Sequence, residues 1–211
     1  LGLCAATFLW QLALGPGGGQ AAIYSFGVIP ASLLQGATLS PELALIPPQM
    51  TVFTSMFLHG GWAHLLGNLL YLWVFGDNVE DSMGHMRFIL FYVVCGTAAA
   101  LAQAIPDPDS TVPMIGASGA ISGVLGAYVL LYPHARILVV IPLGIVFTTM
   151  RLRAGWVLGL WFGMQLLSEL TTPAGSAGVA FRAHLGGFVA GALLIPLFKS
   201  RKFRLFHPEV H

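Results

Sequence analysis

The sequence predicts an all-α membrane protein, folded as a single bundle of six transmembrane helices. Of its 211 residues, 56% are hydrophobic and 8% are charged, and the mean hydropathy is +0.82. A soluble domain carries about 25% charged residues, so this composition is typical of a chain embedded in lipid. The few basic residues are unevenly placed along the chain, and their positions support the count of six helices.

Six apolar segments account for these helices. They lie at residues 1–14, 60–76, 86–105, 114–132, 154–170 and 183–198. The first has 14 residues, fewer than the roughly 20 that cross a bilayer, and the chain starts with Leu1 instead of methionine. We therefore expect a first helix truncated at its N-terminus, and not a signal peptide, because no basic segment or cleavage site precedes the next loop. Residues 1–211 are predicted to form one membrane domain, which ends in a polar cytoplasmic tail at 199–211.

A seventh apolar run, at residues 137–150, contains a proline and a glycine and could either span the membrane or lie at its surface. The basic residues decide between these two arrangements. If the run does not span, every Lys and Arg except Arg182 lies on one side, which is cytoplasmic by the positive-inside rule. If it does span, Arg136 is separated from Arg151 and Arg153. We therefore predict six spans, with both ends of the chain in the cytoplasm.

The segment between the first two helices, residues 15–58, is predicted to be a long outer loop. It begins with the sequence GPGGG and also contains apolar stretches such as FGVIPASLL. These apolar stretches indicate that the loop lies against the membrane and is not a solvated linker.

Four polar side chains are predicted to lie at one depth in the membrane. Because the N-terminus is inside, the second, fourth and sixth helices all enter from the outer face. His64 and Asn68 lie early in the second helix. Ser118 lies early in the fourth, and His184 at the start of the sixth. Such groups are costly inside a membrane and tend to face a bundle interior or a water-filled cavity. His59, five residues before His64, is expected in a loop and exposed to solvent.

Ser118 and His184 supply the two groups that acyl transfer requires. A serine hydroxyl alone is a weak nucleophile, and an imidazole can take its proton near neutral pH. The small residues of MIGASGAISG and AHLGGFVAG would let the two helices approach until these side chains meet. His64 and Asn68 could then donate hydrogen bonds to an oxyanion, together with the backbone N–H of Ser118.

The same residues allow two other interpretations. Glycine and serine spaced three and four residues apart are common where membrane helices pack, and there they have no chemical role. A polar cluster inside a membrane protein can also relay protons or transport a solute. Four polar residues at one depth on three helices favour a functional site over packing, and they leave catalysis and transport as competing functions.

Other hydrolytic chemistries fit the sequence poorly. It contains no HExxH motif of a zinc protease, and Ala120 stands where a GxSxG motif requires glycine. Asp77 and Asp81 lie at the inner end of the second helix, where basic loop residues can pair with them, so an aspartyl dyad has little support. Cys4 and Cys95 lie in apolar runs without a CxxC motif and are interpreted as small buried side chains.

Three motifs follow one another along the chain. They are HGGWAHLLGN at 59–68, GASG at 116–119 and AHLGGFVAG at 183–191. In this order they resemble the motifs of the rhomboid family of intramembrane serine proteases. Each motif alone is weak, and the ordered set is specific. The resemblance implies a six-helix fold.

The resemblance also implies a role for each polar residue. Ser118 would be the nucleophile, and His184 the general base and then the general acid. His64, Asn68 and Gly116 would stabilise the oxyanion or the substrate. No metal or organic cofactor is implied. Substrates would be transmembrane proteins, cut near the outer face of the lipid bilayer at small residues in an unwound helix. Nucleic acid is not an expected partner, and a bacterial inner (plasma) membrane is the expected setting.

One feature of the predicted site departs from the pattern of some rhomboids. Those members carry an aromatic residue four places after the nucleophile, packed on the catalytic histidine, whereas this chain has Ser122. Another neighbour must therefore orient His184.

Glu169 is the only acid near the outer end of the fifth helix, and we do not expect it to contact the site. The alternatives are a catalytically inactive relative that binds transmembrane clients, and a small transporter.

Overall fold

The computed structural model describes residues 1–143, 146–171 and 179–206. Part of the predicted polar tail, at 207–211, lies outside the described residues, as do residues 144–145 of the seventh apolar run.

The described residues form nine α-helices and one β-hairpin. The helices are α1 (Gly2–Ala13), α2 (Gly15–Phe26), α3 (Pro30–Leu34), α4 (Pro48–Thr54), α5 (Trp62–Met83), α6 (His85–Ala104), α7 (Ser118–Leu131), α8 (Ala154–Thr171) and α9 (Phe181–Phe198). A 3₁₀ turn at Ser55–Phe57 follows α4, and the hairpin consists of β1 (Arg136–Leu143) and β2 (Val146–Arg153). The predicted outer loop at 15–58 thus contains three short helices and the 3₁₀ turn.

The ends of α5 and α7 differ from the predicted segments, and glycine accounts for both differences. Helix α5 continues through polar residues to Met83 and ends at Gly84, whose φ of 84° favours glycine. Helix α7 begins only at Ser118, because Met114 is extended and paired with Val28, and Gly116 has a φ of 118°. Both glycines therefore set the level at which a helix starts or stops.

The all-α fold class needs one correction, at the hairpin between α7 and α8. Strands β1 and β2 are antiparallel, in a register from Arg136↔Arg153 to Leu143↔Val146. A short apolar run rich in β-branched residues suits a strand as well as a helix, and apolar content alone does not separate the two. Pro142 is tolerated because both strands of a two-stranded sheet are edges. Open strand edges do not occur facing lipid, which argues against a span at 137–150.

Helix α7 is the centre of the bundle. Every residue from Gly119 to Tyr128 is buried, and the helix packs mainly against α9, α6 and α5. Glycines line its contact with α9, where a Cβ at Gly126 would overlap the backbone of Phe188. Helix α8 lies at the periphery, and only Ala154 and Leu158 of its residues are buried. Helices α7 and α9 are thus held together by backbone contact.

Within the described residues, α6 and α9 are the helices long and apolar enough to cross a membrane, and α1 and α7 are shorter apolar helices. Cys4 and Cys95 are both buried and unpaired, which confirms their interpretation as small buried side chains.

Candidate active site

A cavity of about 1010 Å³ opens among α5, α7, α8 and α9. All four polar residues that the sequence placed at one depth line it, namely His64, Asn68, Ser118 and His184. The wall is otherwise mixed, with apolar side chains beside polar ones. A concave site with a few convergent polar groups is typical of an active or binding site.

Ser118 and His184 are hydrogen-bonded to each other across this cavity. Ser118 Oγ lies 2.9 Å from Nε2 of His184. Ser118 is the first residue of α7, and His184 lies in the first turn of α9. The two helix ends meet because Gly119 and Gly187 let the backbones touch, and a Cβ on Gly187 would overlap the carbonyl of Gly119. The 66 residues that separate the pair in sequence are thus bridged by glycine packing.

The other ring nitrogen of His184 contacts a residue that the sequence analysis missed. Nδ1 lies 2.8 Å from Oε1 of Gln165 on α8. The ring of Trp161, one turn earlier on α8, lies 6.0 Å from the His184 ring between centroids. Residues four apart on a helix share a face, so α8 presents both groups together. Ser122 does not take this place, because its hydroxyl donates to the backbone carbonyl of Ser118 at 2.7 Å.

One signal in the sequence identifies Gln165. Between Ala154 and Leu167 it is the only amide, hydroxyl or charged side chain. A lone polar group in an apolar helix is costly unless it finds a polar partner. The spacing of Trp161 and Gln165 by four residues strengthens that signal, since it places both on one side of the helix.

Two charged residues, Glu169 and Arg182, also line the cavity. Glu169 forms an ion pair with Nε of Arg182, so the end of α8 is tied to the start of α9. This arrangement directs the Glu169 carboxylate to Arg182 and leaves Gln165 as the partner of His184 Nδ1. Within the described ranges, no three His, Cys, Asp or Glu side chains are grouped as ligands for a metal ion.

His64 and Asn68 both offer hydrogen-bond donors to the cavity. The backbone N–H of Gly60 donates to Nδ1 of His64 at 3.3 Å, and in that tautomer Nε2 carries the ring proton. Nδ2 of Asn68 is buried without a hydrogen-bond partner in the described structure. A buried donor without a partner costs free energy, which a ligand with an acceptor atom would recover.

The role of Gly116 in stabilising the oxyanion or the substrate stays a prediction, and the structure shows where its backbone and its missing Cβ lie. Its N–H donates to the carbonyl of Ser55 at 2.8 Å, so it is already engaged as a donor. With its φ of 118°, a Cβ at this position would come within 2.6 Å of Nε2 of His64. Gly116 therefore leaves room for the His64 ring and does not itself offer a free donor.

His59 is buried, with 1% of its surface exposed, so the prediction of a solvent-exposed residue is wrong. Its backbone N–H and carbonyl both bond to the side-chain amide of Gln11, and its Nδ1 donates to the carbonyl of Phe57 at 3.1 Å. Burial, reinforced by the neighbouring His64, lowers the pKa of His59 to about 4. His59 is therefore neutral near pH 7 and anchors α1 to the loop before α5.

Comparisons with known proteins agree with the motif pattern. A family model described as the Rhomboid domain matches residues 48–201. Rhomboid-like protease 5 of Toxoplasma gondii is 31% identical over 146 residues, which cover 67% of this chain and 15% of the relative. Rhomboid protein 1, mitochondrial, of Saccharomyces cerevisiae is 31% identical over 157 residues, or 70% of this chain and 41% of the relative. Rhomboid protease GluP of Bacillus subtilis is 34% identical over 142 residues, or 66% of this chain and 24% of the relative.

The chain thus spans less than half the length of these curated relatives. The matched region takes in most of the chain and contains all four polar residues of the cavity. The resemblance predicted from the three motifs is confirmed, and the chain is an integral membrane protein that belongs to the rhomboid family.

Proposed function

We propose that this protein is an intramembrane serine endopeptidase that cleaves transmembrane protein substrates near the outer membrane face. The observation that carries the proposal is the 2.9 Å contact between Ser118 Oγ and His184 Nε2 inside an open cavity. The names of the relatives in Toxoplasma gondii and Bacillus subtilis describe them as proteases, which supports the same reaction class.

The geometry supports a two-step acyl transfer. His184 Nε2 takes the hydroxyl proton while Ser118 Oγ bonds to the carbonyl carbon of the scissile peptide. The imidazolium then gives this proton to the leaving amine nitrogen as the peptide bond breaks. Water attacks the acyl-enzyme, its proton passes to Nε2, and the proton finally returns to Oγ as the new carboxyl end leaves. These steps use no metal or organic cofactor.

Three donors are available for the oxyanion in this mechanism. They are Nδ2 of Asn68, the Nε2–H of His64 and the backbone N–H of Ser118. The last is free of an intrahelical acceptor because Ser118 lies in the first turn of α7. Donors aimed at developing negative charge in a water-poor site give the largest gains in rate.

The length of α7 predicts that Ser118, and with it the reaction, lies below the outer surface of the membrane. Its 14 residues at ~1.5 Å each give about 21 Å, less than the ~30 Å of a hydrocarbon core. A helix whose inner end reaches the cytoplasmic surface therefore starts below the outer surface, with Ser118 at its tip. Peptide bonds in an intact substrate helix are hydrogen-bonded and shielded, so substrates with helix-breaking residues near the outer boundary should be preferred.

Cleavage of a defined substrate tests the function. The purified protein would be incubated with a model transmembrane segment that carries a small residue and a nearby proline close to its outer end. We expect one cut near that end, and reaction with a fluorophosphonate that mass spectrometry locates on the peptide containing Ser118. Absence of both reactions would favour a client-binding relative or a transporter.

Asn68→Ala is expected to slow cleavage by about 10²- to 10³-fold, because one oxyanion donor is removed. The effect should fall on kcat more than on KM, since the donor acts on charge that develops during the reaction. The measurement is the rate of substrate cleavage under single-turnover conditions. Asn78→Ala, on the same helix but near its inner end, is the matched control and should retain the wild-type rate. Equal rates for the two variants would remove Asn68 from the oxyanion site.

Gly116→Ala is expected to slow the reaction by about 100-fold, because the new methyl group would displace the ring of His64. Gly163→Ala is the control, since a Cβ there meets nothing within 4 Å and Gly163 does not line the cavity. Fluorophosphonate labelling rates would compare the two variants. If Gly116→Ala labelled at the wild-type rate, the position of His64 would not matter for the reaction.

We further propose six membrane spans, formed by α1, α5, α6, α7, α8 and α9, with the start of α1 and the end of α9 in the cytoplasm. A bacterial inner membrane is the proposed setting, although the curated relatives also include mitochondrial and chloroplastic proteins. The distribution of Lys and Arg supports this orientation.

Single cysteines at Ser110 and Ser200, in a variant without Cys4 and Cys95, would test this orientation in intact cells. An impermeant maleimide should label only the first.

A further inference from the structure

We propose that Gln165 is a positioning residue that fixes His184 in the tautomer required of a general base. The inference rests on the proposed protease function for its catalytic consequence. Gln165 Oε1 lies 2.8 Å from His184 Nδ1, while Nε2 of the same ring faces Ser118 Oγ. Serine, histidine and glutamine thus form one continuous hydrogen-bonded chain across three helices.

The chemistry of an amide oxygen determines which atom donates and which accepts in each of these hydrogen bonds. The oxygen has lone pairs and no proton, so it can only accept a hydrogen bond. Nδ1 of His184 must then carry the ring proton, and the lone pair of a neutral ring lies on Nε2. That lone pair is the group that can take the proton of Ser118 Oγ. Without an acceptor at Nδ1, the ring would also populate the other tautomer, whose Nε2–H cannot accept this proton.

The surroundings favour an amide over a carboxylate in this position. His184 is buried, with 9% of its surface exposed, and a carboxylate placed against it would carry a charge into a buried position. Glu169, one turn further along α8, is held by Arg182 at the outer end. The neutral Gln165 therefore orients the imidazole without adding a buried charge. The amide oxygen of Gln165 carries only a partial negative charge, so it stabilises the imidazolium less than a carboxylate would. Turnover should therefore be slower than with a full Ser-His-Asp triad.

Trp161 completes the orientation from the same helix. Its ring lies 6.0 Å from the His184 ring at an interplanar angle of 36°, so it limits how the imidazole can tilt. Some rhomboids place an aromatic residue on the helix of the nucleophile, where this chain has Ser122. Here the aromatic neighbour of the His184 ring, Trp161, and the partner of its Nδ1, Gln165, both come from α8, which is otherwise largely exposed.

Two substitutions of similar size separate a positioning role from a packing role. Gln165→Leu keeps the volume and removes the acceptor, whereas Gln165→Glu keeps an oxygen in the same place. We expect Gln165→Leu to lower kcat about 100-fold with KM nearly unchanged, and Gln165→Glu to stay within about 10-fold of wild type. Met164→Leu, a half-exposed neighbour on α8, is the control and should react at the wild-type rate. Loss of activity in both Gln165 variants, or in neither, would overturn the proposal.

A spectroscopic measurement decides the tautomer without relying on activity. In protein labelled with ¹⁵N-histidine, the resonances of His184 would be assigned by their loss in His184→Asn. Wild type should show a protonated Nδ1 and an unprotonated Nε2, and Gln165→Leu should show a mixture. The same mixture in wild type would overturn the proposal. A clean Nδ1–H tautomer in a protein that neither cleaves nor labels would instead refute the protease function and leave the positioning contact in place.

Discussion

Ser118→Ala is expected to abolish both substrate cleavage and fluorophosphonate labelling, a loss on the order of 10⁶-fold for a serine hydrolase. The reason is that Ser118 Oγ is the atom within hydrogen-bond distance of His184 Nε2, so the variant has no activated hydroxyl. Cleavage would be followed with a transmembrane substrate in detergent, and labelling with a fluorescent fluorophosphonate. His184→Ala should lose cleavage as well, because the hydroxyl then has no base.

Ser122→Ala is the matched control for this experiment. Ser122 lies one turn further along α7 and also lines the cavity, but its hydroxyl donates to the carbonyl of Ser118. Its loss removes a serine without removing the proposed nucleophile, so cleavage should stay close to wild type. Labelling that persists in Ser118→Ala and disappears in Ser122→Ala would move the nucleophile to the second position.

The sequence could predict which residues converge, because their depth follows from the parity of the helices. His64, Asn68, Ser118 and His184 are predicted near the outer starts of even-numbered spans, and in the structure all four line one cavity. Rows of small residues also indicated which helices touch, and α7 does pack closely against α9. Periodicity and spacing along one chain thus carry enough information to predict which side chains line a common cavity.

The sequence could not predict how each group is hydrogen-bonded. Gly116 N–H bonds to Ser55, a partner that a motif does not contain, and this removes it from the free donors. His59 is buried because α1 lies against the loop before α5, where the side-chain amide of Gln11 bonds to both the N–H and the carbonyl of His59. Gln165 belongs to none of the three motifs and lies on the loosely packed α8, so the motifs do not predict its contact with His184. Such contacts depend on the relative rotation of helices, which apolar periodicity does not specify.

The hairpin shows that apolar content alone does not predict the type of secondary structure. The sequence predicts that the run at 137–150 either spans the membrane or lies at its surface, whereas the structure pairs it with itself as two antiparallel strands. Apolar content predicts that a segment is removed from water, but a helix and a strand can both bury apolar side chains, so it does not choose between them. Only the β-branched residues of ILVVI and the following VFTT favoured the strand.

Gly191→Ala is expected to destabilise the protein by about 2–4 kcal/mol, because its new methyl group would overlap the backbone of Gly123 across the α7–α9 contact. Backbone atoms of a packed helix cannot move aside as a flexible side chain can, so the two helices must separate. The separation would also move His184, two turns earlier on α9, away from Ser118. Thermal unfolding in detergent, followed by circular dichroism, would measure the loss as a fall in Tm. Labelling by fluorophosphonate should fall in the same variant.

Gly159→Ala on α8 is the control that isolates this contact from the general effect of replacing glycine. A Cβ at Gly159 meets nothing within 4 Å, so no steric cost arises there. Alanine favours a helix over glycine by about 1 kcal/mol, and the control should therefore melt at or above the wild-type temperature. The two substitutions are chemically identical, and the sign of their effects should differ because only one of them lies between two touching backbones. Equal melting temperatures would mean that α7 and α9 are not in backbone contact, and the proposed route by which Ser118 and His184 meet would be lost with it.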